Sequence, residues 1–126
     1  MKRTVVLVAL IALVVTGPLI AADQPKVTAK VCTAVKDRAP VGEGDSFPAT
    51  VGELYCFTEV IGGSGTVVHA WFHGAKEVRT MELPVKAARW RTWSAKNIPP
   101  AMTGDWHVEV RDKAGAVLAT VKFAIR

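Results

Sequence analysis

Basic and aromatic side chains alternate in the segment from Arg89 to Lys96. In an extended strand, Arg89, Arg91 and Trp93 lie on one face, and Lys96 follows just beyond them. A tryptophan between arginines is a flat apolar surface with flanking hydrogen-bond donors, which suits stacking on a sugar ring or contact with an anionic glycan. Packing is the alternative, because arginine stems often cover apolar surface and because either Trp90 or Trp93 must face the interior.

A second group of candidate residues consists of His69, Trp71 and His73, which share one face of a strand. Residues four apart on a strand are separated by about 13 Å, so His69 and His73 cannot both bind one metal ion. His69 could approach His107 on a neighbouring strand, but two imidazoles alone do not complete a metal site. We expect an inward Trp71 flanked by a partly buried His69 and by His73 at the rim.

Catalytic motifs are absent from the sequence. The three serines are Ser46, Ser64 and Ser94, and Gly63-Ser64-Gly65 is a turn rather than a strand-elbow-helix motif around a nucleophile. The sequence contains neither a phosphate-binding loop nor a dinucleotide fingerprint. It therefore predicts a protein that is not an enzyme and that has no metal and no cofactor.

The first 22 residues follow the order of a secretory signal. Lys2 and Arg3 precede an unbroken apolar run over Val5–Val15. An uncleaved anchor is the alternative, but the run is shorter than the ~20 residues that cross a bilayer. We predict a signal peptide over residues 1–22 and one exported domain over residues 23–126, located in the periplasm or outside the cell, with no stable membrane insertion after cleavage.

The size and charge of the chain limit its function class. The chain has 126 residues, or 104 without the first 22, which is enough for one hydrophobic core. Large multi-domain enzymes are therefore excluded. Loss of Lys2 and Arg3 lowers the formal net charge from +5 to +3, and this small excess does not indicate a nucleic-acid partner.

Export also bears on Cys32 and Cys56, the only two cysteines of the chain. Disulfides persist outside the cytoplasm, where no glutathione pool reduces them. Cys32 and Cys56 are 24 residues apart. A bridge that closes a loop of that length would stabilise the fold by roughly 3 kcal/mol. We predict a Cys32–Cys56 disulfide, with two buried free thiols as the alternative.

Period-two alternation and turn signals predict seven strands and little helix. They cover Lys26–Val35, Glu53–Ile61, Thr66–His73, Lys76–Leu83, Arg89–Ala95, Asp105–Arg111 and Ala116–Ile125, and residues 37–49 are predicted as a loop. The glycine-rich segment 62–65 predicts a hairpin between the second and third strands, and the last two strands form another. Seven short strands predict an immunoglobulin-like two-sheet β-sandwich, with a barrel as the alternative; Trp71 and Trp106 are expected to pack inside it.

Three stretches of the sequence are similar to a known family. They are Cys32-Thr33-Ala34-Val35-Lys36-Asp37-Arg38-Ala39-Pro40, His69-Ala70-Trp71, and Trp90-Arg91-Thr92-Trp93-Ser94-Ala95-Lys96 running on to Thr103-Gly104-Asp105-Trp106. In these stretches the chain resembles the bacterial domain of unknown function 2914 (DUF2914), and the third is the most specific. The resemblance implies a small exported protein, or a domain attached to membrane-bound regions, and it implies no established activity.

These observations predict an exported, non-catalytic β-sandwich module that acts by contact with another protein or with a cell-envelope polymer. The alternative is a carbohydrate- or anionic-glycan-binding module that uses the tryptophan and arginine surface of the fifth predicted strand. The candidate ligand-binding residues are His69, Trp71, Arg91, Trp93 and Lys96.

Overall fold

The computed structural model describes residues 24–126, and strands and turns dominate this part of the chain. Its ten strands are β1 (Lys26–Cys32), β2 (Ala34–Lys36), β3 (Ala39–Val41), β4 (Ser46–Phe47), β5 (Glu53–Ile61), β6 (Gly65–His73), β7 (Lys76–Val85), β8 (Arg89–Asn97), β9 (Gly104–Asp112) and β10 (Val117–Ile125). Within residues 24–126 we find no helix of the length and apolarity that a membrane span requires. The predicted signal peptide lies outside the described residues.

The strands form two packed sheets and one short hairpin. One sheet has the order β1-β5-β8 and the other has the order β4-β10-β9-β6-β7, while β2 and β3 pair only with each other. All pairs are antiparallel except β4 with β10. The seven long strands are divided between the sheets as in immunoglobulin-type sandwiches. The prediction of an all-β, two-sheet sandwich is therefore confirmed.

The core lies between the sheets and is built from the inward-facing half of each alternating strand. Its largest buried side chains are Trp71 and Trp106, which confirms the prediction that both pack inside. Both indoles contact Phe123: Trp71 meets its ring edge-on at 6.1 Å between centroids, and Trp106 stacks on it at 5.8 Å. The Trp106 indole N–H also donates to the carbonyl oxygen of Met102 at 2.9 Å.

The predicted hairpin between the second and third strands is wrong. Strand β5 pairs with β1 and β8, whereas β6 pairs with β7 and β9, so the segment 62–64 crosses from one sheet to the other. Gly62 and Gly65 have φ values of 78° and 89°, and such conformations serve a crossing as well as a hairpin. The Gly62 N–H donates to the carbonyl oxygen of Ala88 at 2.7 Å, which ties the end of β5 to the start of β8.

The region predicted as one strand and a long loop contains more structure. The predicted strand Lys26–Val35 ends at Cys32, and β2 and β3 then form a hairpin within residues 34–41. Its two-residue turn consists of Asp37 and Arg38, with φ values of 51° and 59°. These left-handed conformations define the tight turn that twisted hairpins favour, although glycine or asparagine usually occupies it.

Candidate functional site

Strand β8 contributes side chains to two different environments. Its side chains alternate between the core and the outer surface of the three-stranded sheet. Thr92 and Ser94 are buried on the inner face, whereas Arg91 and Trp93 lie on the outer face. The prediction that one of Trp90 and Trp93 faces inward is confirmed, since Trp90 packs against the apolar core.

The inner face of β8 belongs to a buried polar network that connects the two sheets. Ser94 Oγ lies 3.0 Å from Trp71 Nε1 and 2.6 Å from His69 Nδ1. The other ring nitrogen of His69, Nε2, lies 2.8 Å from Thr58 Oγ1 on β5. His69 is fully buried, rather than partly buried as predicted. The network therefore joins side chains of β5 and β8 to side chains of β6 across the core.

One proton arrangement is consistent with all of these contacts. The Trp71 N–H can only donate, so Ser94 Oγ accepts from it. We assign the Ser94 hydroxyl proton to His69 Nδ1, so that neutral His69 carries its own proton on Nε2 and donates to Thr58. Burial lowers the pKa of His69 to about 4, because the interior disfavours the charged imidazolium.

The Ser94–His69 contact has the distance of a nucleophile–base pair but not its setting. Ser94 is 2% exposed and His69 is 0% exposed, so no substrate reaches either atom in this structure. Ser94 Oγ also accepts a hydrogen bond from the indole N–H of Trp71. The geometry gives this pair a role in joining the sheets.

The outer face of β8 presents an aromatic surface. Trp93 is 37% exposed and stacks on Phe57 of β5, with 6.2 Å between ring centroids and 12° between planes. Phe57 is itself buried. The indole of Trp93 therefore has one face supported by the protein and about a third of its surface open to solvent.

Two arginines next to Trp93 share one carboxylate. Arg91 Nε donates to Glu59 Oε2 at 3.1 Å, and Arg89 lies 3.4 Å from Glu59 Oε1. Glu59 is the direct cross-strand neighbour of Arg91, in the same register that places Phe57 opposite Trp93. One negative charge therefore positions two positive charges beside the exposed indole.

Sequence reasoning missed Arg38, which the β2–β3 hairpin carries to this surface. Its guanidinium carbon lies 5.2 Å from the centre of the Trp90 ring, and its carbonyl oxygen accepts from Arg91 Nη1 at 3.4 Å. The one available signal was that Arg38 falls in the first of the three stretches of family resemblance. Nothing in the spacing of the sequence indicated that this segment would fold back toward β8.

Three neighbouring depressions share Arg38 and Arg91. One of them, which we call the edge groove, has a volume of about 350 Å³. The edge groove is lined by Arg38, Pro84, Lys86, Trp90, Arg91, Thr92 and Trp93. It runs along β8, which is the edge strand of its sheet.

The predicted ligand-binding residues do not form one cluster. Arg91 and Trp93 lie side by side on the outer face, but His69 and Trp71 are buried between the sheets. Lys96 is two residues from Ser94 on β8 and therefore lies on the inner side of the strand, away from Arg91 and Trp93. Its ammonium donates to the carbonyl oxygen of Asn97 at 2.5 Å. Partial burial and the positive charge of Arg79 lower the pKa of Lys96.

The remaining two histidines, His73 and His107, do not form a metal site with His69. His107 stacks on Phe72 at 4.5 Å on the outer face of the other sheet, so it does not meet the buried His69. His73 is half-buried at the rim, as predicted, and donates from Nε2 to the carbonyl oxygen of Thr103 at 2.7 Å. Within residues 24–126, no group of three or more metal-ligating side chains comes together.

The structure does not contain the predicted disulfide. Cys32 and Cys56 are both free and buried. They lie on the paired strands β1 and β5, but Cys32 is opposite Tyr55 and Cys56 is opposite Val31. This offset of one residue sends the two thiols to opposite faces of the sheet. Burial raises the pKa of Cys32 and raises that of Cys56 to about 12.

The fold and this site define a small β-sandwich with a basic and aromatic outer surface. The family described as protein of unknown function (DUF2914) matches residues 64–125. This match confirms the predicted resemblance for the second and third of the three stretches, whereas the first stretch, Cys32–Pro40, lies outside it. The match spans β6 to β10, so it includes Arg91 and Trp93 but not Arg38. No curated protein matches the chain.

Proposed function

We propose that this protein is an exported, non-catalytic module that binds carbohydrate on the outer face of β8. The observation that carries the proposal is the exposed indole of Trp93, supported from below by Phe57 and flanked by Arg91. An indole held in this way presents a flat apolar surface to the C–H face of a sugar ring. Because Phe57 already fixes its orientation, little side-chain entropy is lost on binding.

The arginines add hydrogen-bond donors at the edge of that surface. Glu59 holds Arg91 and Arg89 in place, and the donors that remain free can reach sugar hydroxyls or acidic substituents. The contacts with Glu59 therefore position these arginines before a ligand arrives. This arrangement supports recognition of a ring together with the polar groups around it.

Carbohydrate is favoured over a protein partner because large exposed apolar side chains are scattered. In the part of the chain that the structure describes they are Val41, Ile61, Trp93 and Val117, which lie on different strands or strand ends. A stable protein interface usually buries about 800 Å² on each partner around an apolar centre. A single indole with adjacent arginines fits a polymer chain better than such an interface.

Export and the absence of catalysis belong to the same proposal. Export is supported by the charged and apolar order of the first 22 residues, which lie outside the described part of the chain. A non-catalytic role is supported by the burial of Ser94 and His69, the pair that comes nearest to a catalytic arrangement.

Affinity electrophoresis with polysaccharides tests the proposal. Gels containing dextran, polygalacturonate or methyl-esterified polygalacturonate should retard the wild-type protein in at least one case. Trp93→Ala should migrate as if no polymer were present, because the stacking surface is removed. Val117→Ala is the matched control, since it shortens an exposed apolar side chain on the other sheet. Equal retardation of Trp93→Ala and wild type would refute carbohydrate binding at this face.

A further inference from the structure

We infer that the edge groove is an anion subsite and that the ligand is an acidic polysaccharide bound partly through its carboxylates. This inference rests on the proposed function and narrows its ligand class. The first support is charge: Arg38, Lys86, Arg89 and Arg91 line the groove and the depression beside it, and one carboxylate, Glu59, pairs with Arg89 and Arg91. Among the described residues, neither Arg38 nor Lys86 forms an ion pair.

The geometry of Arg38 is the second support. Its guanidinium carbon lies 5.2 Å from the centre of the Trp90 ring, and a contact with a ring face does not use the N–H donors of the group. Those donors have the fork geometry that matches a carboxylate. The arginine is thus fixed by an aromatic ring without its donors being used.

The backbone at Arg38 is the third support. A φ of 59° is uncommon for a residue with a long side chain, and such conformations persist where the surrounding structure imposes them. Here the β2–β3 pairing and the hydrogen bond from Arg91 to the Arg38 carbonyl hold the turn. The turn places the Arg38 carbonyl against Arg91 and the Arg38 guanidinium against the Trp90 ring, both on β8.

Arg111 provides a comparison, because it also contacts an aromatic ring but its charge is paired with a carboxylate of the protein. Arg111 lies over Phe72 at 5.6 Å, in nearly the same relation as Arg38 to Trp90. Arg111 also forms a 2.6 Å ion pair with Glu109 on the same strand. Arg38 has the same aromatic support without the carboxylate. An acidic ligand would supply the missing negative charge.

The test compares Arg38→Gln with Arg111→Gln, using polygalacturonate and its methyl ester. The two polymers share one backbone and differ in whether the carboxylate is charged. Wild type should bind polygalacturonate more tightly than its methyl ester. Arg38→Gln should lower the affinity for polygalacturonate by roughly tenfold, the effect of losing one charged hydrogen-bonded pair, and should leave the affinity for the ester unchanged. Arg111→Gln should bind both polymers as wild type does, and thermal melting should show that all variants are folded.

The outcomes separate this inference from the proposed function. If Trp93→Ala abolishes binding while Arg38→Gln behaves as Arg111→Gln, the carbohydrate proposal stands and the anion subsite is wrong. If wild type binds neither polymer, both are wrong. Lys86→Gln changes a second residue of the same groove, and it should also lower the affinity for polygalacturonate but not the affinity for its ester. Tighter binding of a single-stranded oligonucleotide than of polygalacturonate would overturn the choice of ligand class.

Discussion

The inner and outer faces of β8 use similar residue types in opposite ways. On the inner face Ser94 bonds to His69 and to the indole of Trp71, and within residues 24–126 every buried side-chain nitrogen and oxygen has a hydrogen-bond partner. On the outer face, Trp93 keeps its indole partly exposed and Arg91 lies in a surplus of positive charge. The inner groups are saturated by the fold, whereas the outer groups retain capacity for a ligand.

This comparison shows that side-chain chemistry alone does not locate a site. Serine, histidine and tryptophan occur together in the core, where they connect the sheets. Tryptophan and arginine occur together at the surface, where nothing in the described chain covers them fully. Alternation along one strand decides which role each residue takes. The predictions below test that division by stability and by binding.

The largest expected effect is that of Trp71→Ala. Removing a fully buried indole should lower the free energy of unfolding by about 3 to 5 kcal/mol, since a cavity forms. Trp93→Ala should cost clearly less, because its side chain is already 37% exposed and its stack on Phe57 adds only about 1 kcal/mol beyond the area that it buries. Urea unfolding of the two variants measures the difference. Equal losses would show that Trp93 is a core residue and would remove the basis of the comparison.

The second expected effect is a loss of stability in acid. The neutral form of His69 is the one that the core accommodates, and its pKa is lowered from 6.5 to about 4. Between these values the unfolded chain binds the proton more readily, so stability is full above pH 6.5 and falls as the pH drops toward 4. The shift corresponds to about 3 kcal/mol.

Denaturant unfolding at pH 7 and at pH 4 checks this loss. Substitution of His69 by Gln should remove most of the pH dependence, although the variant is less stable overall. His107→Gln is the matched control, because His107 lies on an outer face, and it should retain the wild-type profile. A wild-type stability that is flat over this range would contradict a buried neutral imidazole.

A smaller effect is expected for Ser94→Ala. The change leaves the Trp71 indole N–H and His69 Nδ1 without their shared partner, which should cost about 1 to 3 kcal/mol. Ser64→Ala provides the comparison, since Ser64 is exposed in the turn after β5 and should be neutral. Unfolding midpoints of the two variants measure the contribution of the network. Indistinguishable midpoints would mean that the network adds nothing to stability.

The strands of the sandwich could be predicted because alternation is a local property. The predicted strands from residue 53 onward agree with β5 to β10 to within two residues at each end, and inward Trp71 followed from the same pattern. Pairing between strands is not local. The glycines at 62–65 allowed either a hairpin or a crossing, and the observed crossing follows from β5 and β6 each pairing within a different sheet.

The site was predicted in part for the same reason. Arg91 and Trp93 could be found because alternation along one strand puts both on the same face. Lys96 falls on the other face of that strand, and Arg38 comes from a hairpin that is distant in sequence. The Asp37–Arg38 turn lacks the glycine or asparagine that signals such turns. The sequence could not decide between a disulfide and free thiols, because residue spacing does not give the register. In the structure an offset of one residue on the paired strands separates Cys32 from Cys56.

The most direct test of the outer face is the response of the indole N–H signals in a ¹H–¹⁵N spectrum. The chain has four tryptophans, and single substitutions assign their signals. On titration with polygalacturonate, the Trp93 signal should shift while those of Trp71 and Trp106 stay fixed, because their N–H groups are bonded to Ser94 and to the Met102 carbonyl. A titration in which Trp93 stays fixed, or in which only the buried indoles respond, would contradict ligand binding at the outer face of β8.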